Sequence, residues 1–266
     1  MTALTLALPA AGFYFTGAIR QWLTIAGKSP SARPFVVVMA AIGAVLHLAA
    51  LSMTLFSDHV LNLAMFQVGS LISLMIVLLV LSMAWNKSLG NLFAGLLPLA
   101  GVICLCAALF DHQVLMSHLS YELGLHILLS ILAFSLFTIA AVHAILIILQ
   151  DRQLRQHRMR GLLQSLPALQ TMDALLFRMI WVGMALLTAA FIVGYPAIED
   201  IRAQHLTHKI VFAITGWLVF AILLFSRYRF GWRGAIAGGW TLAGTAFLIL
   251  SYFGSQFVLE YVLGNP

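Results

Sequence analysis

Eight apolar runs, each long enough to cross a bilayer, leave this sequence little choice of fold. They cover residues 3–19, 35–56, 63–85, 91–110, 122–149, 174–194, 209–226 and 235–258. A strand takes about 5–6 residues, whereas a helix crossing the hydrocarbon core takes about 20. Lipid offers no partner to a backbone N–H or C=O, and a helix satisfies its own. The expected fold class is therefore all-α: a polytopic membrane helix bundle of eight transmembrane helices, forming one domain over residues 1–266. Composition agrees, since 62% of the 266 residues are hydrophobic and 8% charged. Soluble domains carry roughly 45–50% and 25%, and a soluble fold of this size could not cover so much apolar surface. This excludes a soluble enzyme, a nucleic-acid-binding domain and a disordered chain, so no nucleic acid is expected as a partner. The lipid bilayer is.

The few charges orient the helices. Alternate loops on one side hold Arg20, Lys28, Arg33, Lys87, Arg152, Arg155, Arg158, Arg160, Arg178, Arg227, Arg229 and Arg233. The other side holds only Arg202 and Lys209, with six acids: Asp58, Asp111, Glu122, Glu199, Asp200 and Glu260. Basic loops stay cytoplasmic, so both termini are expected outside a bacterial inner membrane. The start, MTALTLALPAAGFYF, has no positive n-region and reads as a retained span rather than a signal peptide. Residues 162–173, apolar on one face and containing Pro167, are expected to lie along the inner interface. Gly238, Gly239 and Gly244 predict close packing of the last helix.

Little in the chain looks catalytic. It has no P-loop, Rossmann fingerprint, nucleophile elbow or zincin motif, and no enzyme activity is expected. Cys104 and Cys106, two apart in an apolar run, are neither a disulfide framework nor a zinc pair. No Asp or Glu falls deep inside a predicted span, which argues against a carboxylate proton relay.

The informative residues are the nine histidines. His59, His112, His118 and His205 fall in outer loops and His157 in the basic inner loop. His126 lies four residues past Glu122, about 6 Å below the outer surface, and His47 about 13 Å deep in the second span. His208 opens the seventh span. His143 follows His126 by about 25 Å on the same helix, near the inner face. A neutral imidazole in lipid needs a partner for each ring nitrogen. That partner is either a neighbouring helix or a cofactor. Two imidazoles from different helices are the usual means of holding a b-type haem iron. His126 with His208 and His126 with His47 are both geometric options, and His143 is the residue for a second, inner site. The same side chains suit a transition metal, but the predicted spans add no carboxylate to them at the midplane.

The segments LHILLSILAFSLFTIAAVHAILI (125–147), LPALQTMDALLFRMIWVGMALLTAAFIVG (166–194), HKIVFAITGWLVFAILLFSRYRFGWRG (208–234) and LILSYFGSQFVLE (248–260) resemble the cytochrome c assembly protein family. This is the haem-handling group that includes the CcsA, CcmC and CcmF proteins, and the similarity is to its YpjD- and HemX-like subgroup. NLAMFQVGSLISLMI (62–76) extends it toward the N-terminus, with a weaker match at AVLHLAAL (44–51). The resemblance implies haem b bound non-covalently by histidines. It carries His126 onto the first outer haem ligand and His47 onto a histidine of the subgroup's second span. His208 matches by position only.

The departures are as informative. The outer loop YPAIEDIRAQHLTHK (195–209) has no tryptophan, whereas the haem-presenting members carry several there. The last segment, SYFGSQFVLEYVLGNP, has no histidine, and Leu224, Phe225 and Ser226 stand where an inner histidine would be. The resemblance thus implies an assembly, haem-supply or regulatory factor rather than a synthase, working with other cytochrome c maturation or haem-synthesis membrane proteins. The alternative is a transporter or an accessory to divalent-metal (Mg/Co) efflux.

Overall fold

The computed structural model describes residues 2–30, 33–57, 60–83, 90–110, 114–116, 120–156, 166–195 and 207–262. Its eight long helices are α1 Ala3–Ile25, α2 Arg33–Leu55, α3 Met65–Ser82, α4 Phe93–Leu109, α5 Tyr121–Arg155, α6 Leu169–Gly194, α7 Thr207–Phe230 and α8 Ala235–Val262. The fold is all-α, as the apolar runs predict. Seven of these elements are long and apolar enough to span a membrane. The remaining one, α1, has 23 residues, among them Pro9 and Arg20, which dilute its hydropathy.

The helices group as two compact units, α1–α4 and α5–α8. In the first unit, α1 packs on both α2 and α4 through a face of small residues. Ala7 and Ala10 cluster with Ala50 of α2 and Cys104 of α4. Lipid tails are as apolar as side chains, so helices in a membrane associate by close contact, and small residues permit it. Gly43 of α2 is one such position, where an added Cβ would come within 2.7 Å of the Tyr14 ring.

A small antiparallel sheet, absent from the sequence expectation, joins the outer ends of α2, α3 and α4. Strands β1 Phe56–Ser57, β2 Val60–Asn62 and β3 Leu115–Met116 pair in chain order, with Phe56 opposite Leu61 and Leu61 opposite Met116. Asn62 holds the arrangement. Its Oδ1 accepts from the backbone N–H of Ala64 at 3.1 Å and of Val114 at 3.0 Å.

In the second unit, α5 packs against α6 and α8, and α7 against α8 and α6. Its centre is a stack of Phe137 on α5 and Phe220 on α7, ring centroids 4.1 Å apart. A glycine on each remaining helix makes room for it. A Cβ at Gly183 of α6 would lie 2.9 Å from Phe137, and one at Gly244 of α8 would lie 2.7 Å from Phe220. Gly238 similarly admits Ile148, whereas Gly239 faces open space.

The inner end of this unit departs from the sequence reading in two respects. Helix α5 continues past residue 149 to Arg155, because Gln, Leu and Arg are good helix formers and Asp151 pairs with Arg155 one turn on, at 3.1 Å. Of the expected interfacial stretch 162–173, residues 162–165 lie outside the described residues, while Leu169–Asp173 form the first turns of α6 itself. Three carboxylates of this unit are buried, at its inner and outer ends, in keeping with the expectation that no acid falls deep inside a span. Asp173 is 4% exposed; it accepts the Gly234 N–H at 3.0 Å and lies 3.7 Å from Arg227. Asp151 and Glu260 are also buried, all three near helix ends rather than at midspan. The α7–α8 turn, with Gly231 and Gly234 at positive φ, is thus tied into the unit by Asp173, beyond anchoring it at the boundary.

Two glycines ten ångströms of helix or less apart should respond oppositely to the same change. Gly244→Ala is expected to lower stability by about 1–3 kcal/mol through overpacking against Phe220. Gly239→Ala should leave stability unchanged or raise it by up to about 1 kcal/mol. Thermal unfolding in detergent micelles measures both.

Candidate functional site

Each helix that carries a histidine delivers it to a different environment. His47, on α2, is completely buried. Tyr14 of α1 lies 3.3 Å from its Nδ1 and Ser70 of α3 lies 2.7 Å from its Nε2. In either tautomer one nitrogen donates and the other accepts, so both are satisfied. The chain Tyr14–His47–Ser70 joins three helices of the first unit. Gln67, one turn before Ser70, donates to the carbonyls of Ala107 and Phe110 at the end of α4.

His143, on α5, is also fully buried, near the inner end. Its Nε2–H donates to the Met172 carbonyl of α6 at 3.0 Å. Nδ1 then carries the lone pair and has no hydrogen-bond partner among the described residues.

His126 differs from both. It lies on the second turn of α5, at the outer end of the second unit, and is partly exposed. Its Nδ1 sits 2.7 Å from the Ala190 carbonyl in the last turns of α6. A carbonyl only accepts, so Nδ1 carries the proton and Nε2 is left with its lone pair. This is the arrangement found where an imidazole binds a metal: a carbonyl holds one ring nitrogen, sets the tautomer and orients the other. Among the four candidates, His126 is the one that has a ring nitrogen held by a backbone carbonyl and is also partly exposed.

His208 is exposed on the first turn of α7, in the same unit and at the same outer end as His126. The next residue, Lys209, is tied to α8: its ammonium donates to Gln256 at 2.9 Å, and Ser251 donates to its carbonyl at 2.8 Å. Here α8 widens into two π-helical stretches, Leu250–Gly254 and Val258–Val262, a feature often found beside functional sites. His59, His112, His118, His157 and His205 lie outside the described residues. The two cysteines are free, Cys104 buried and Cys106 half-buried.

The partners that define these environments, Tyr14, Ser70, Met172, Ala190 and Gly194, carry no sequence mark as site residues. Ser70 comes nearest, inside the QVGSLISLM run that supports the family resemblance.

A bundle of apolar helices long enough to span a bilayer defines a multi-pass membrane protein. Residues 36–263 match the family described as cytochrome C assembly protein, and the chain belongs to that family. It is similar to the inner membrane protein YpjD of Escherichia coli K12, 29% identical over 239 residues, 88% of this chain and 90% of the relative. It is also similar to protein HemX of Brevibacillus brevis, 23% identical over 145 residues, 53% of each chain. No solved structure matches the chain. The protein is a multi-pass component of the inner membrane.

Ser70→Ala would leave one nitrogen of a fully buried imidazole without a partner, which costs about 1–3 kcal/mol. Ser73→Ala should cost less than about 1 kcal/mol, because the Ser73 hydroxyl donates to the Ser70 carbonyl of its own helix. Comparing their unfolding midpoints tests whether the Tyr14–His47–Ser70 chain holds the first unit together.

Proposed function

We propose that this protein binds b-type haem non-covalently at its outer end and acts, without catalysing a reaction itself, as an assembly, haem-supply or regulatory factor. The observation that carries the proposal is the His126–Ala190 hydrogen bond, which frees Nε2 for iron, in a member of a cytochrome c assembly family. His126 would hold the iron through Nε2, and His208, exposed at the same end of the same unit, would be the residue to join it. His47 would have to give up Tyr14 or Ser70 to coordinate iron, and it serves as a structural link. His143 offers a buried Nδ1 near the inner end and is the ligand for a second haem if one is held. Bound haem supplies redox-active iron. What the chain supplies is the imidazole and its orientation. Its partners are membrane proteins of cytochrome c maturation or of haem synthesis.

Protein extracted from haem-replete cells should show a Soret band. His126→Ala should remove most of it, His208→Ala should shift it, and His47→Ala should lower stability while leaving it in place. A wild-type protein free of haem under these conditions would end this reading. If a deletion strain then shows altered cobalt or magnesium tolerance, the role is in divalent-metal efflux instead.

A further inference from the structure

Five glycines of the second unit face a neighbouring side chain so closely that a Cβ would collide with it: Gly183, Gly194, Gly216, Gly238 and Gly244. Gly183 and Gly244 face Phe137 and Phe220, which are wholly buried and have nowhere to go. Gly194 is different in kind. It faces the imidazole of His126, where a Cβ would overlap Nδ1 and lie 2.8 Å from Cε1 and 3.0 Å from Cγ. The ring belongs to a partly exposed residue, not to the wholly buried core. Gly194 follows Ala190 by one turn of α6, so both lie on one face of the helix. Both are buried, and the ring lies across them, with Nδ1 on the Ala190 carbonyl.

We infer that Gly194 is a positioning residue for the His126 ligand. The missing side chain lets the imidazole reach the Ala190 carbonyl. That bond in turn selects the Nδ1–H tautomer and points Nε2 away from α6. Any side chain at 194 pushes the ring off this seat, breaks the bond and releases the tautomer, while the fold survives because His126, unlike Phe137 and Phe220, is partly exposed. The inference rests on the haem reading for its consequence, but its geometric part stands without haem.

The test uses the full-length chain in detergent with ¹⁵N-labelled histidine, assigned by difference against His126→Gln. At about pH 8.5, where free imidazole is neutral, apo wild-type protein should show His126 protonated at Nδ1. Gly194→Ala should keep a near-wild-type unfolding midpoint yet show a mixture of tautomers. Its haem affinity should fall about 10–100-fold, the usual effect of losing an imidazole's supporting partner. Added to His126→Ala, the same change should have no further effect on haem. An Nε2–H tautomer in the wild type, an unchanged ¹⁵N spectrum in Gly194→Ala, or loss of the fold in that variant would each overturn the inference. Wild-type protein that shows the Nδ1–H tautomer but takes up no haem would instead refute the haem reading and leave the seat itself standing.

Discussion

Close approach between small residues and aromatic rings is the constraint on which the second unit depends. In lipid no hydrophobic force drives one helix against another, so the gain must come from contact. The Phe137–Phe220 stack obtains that contact from all four helices at once, because Gly183 and Gly244 let α6 and α8 come down on its two rings. Thr245, next to Gly244, adds a hydrogen bond to the Phe137 carbonyl at 3.4 Å. In the first unit the same device recurs on a smaller scale, with Gly43 under Tyr14 and alanines of α1 against α2 and α4.

Polar groups are then placed where this packing permits. Each described histidine inside a helix bundle finds a partner on another helix, because an imidazole left bare in an apolar interior is costly. What separates the three is the remaining nitrogen. His47 spends both on hydroxyls, His143 keeps one lone pair sealed inside, and His126 keeps one at the outer end where a ligand can approach. The buried acids follow the same logic: Asp173 and Asp151 lie at the inner end, where Arg227, Arg155 and the backbone of the α7–α8 turn meet them.

The helices were readable because hydropathy over about 20 residues is a strong signal in a chain with so few charges. Their ends were less so. Hydropathy stops α5 at 149 because Gln150, Asp151 and Arg152 are polar, but a helix can leave the membrane and continue in water. The sheet at Phe56–Ser57, Val60–Asn62 and Leu115–Met116 was invisible because strands of two or three residues carry no period, and the side chain that organises them is a single asparagine. Of the site, the histidines stood out by residue type and depth. Their partners did not, since Ala190 contributes only a backbone carbonyl and Gly194 only the lack of a side chain.

Composition, run length and charge asymmetry alone settle that this chain spans a membrane as a helix bundle with its basic loops inside. The physical reason is that lipid tolerates neither bare backbone nor unpaired charge, so the solution is local and can be read along the chain. Which histidine is free to bind is decided only by packing between helices. A tautomer depends on one acceptor 64 residues away in sequence, and the Ala190 carbonyl meets His126 only once α6 has returned antiparallel to α5.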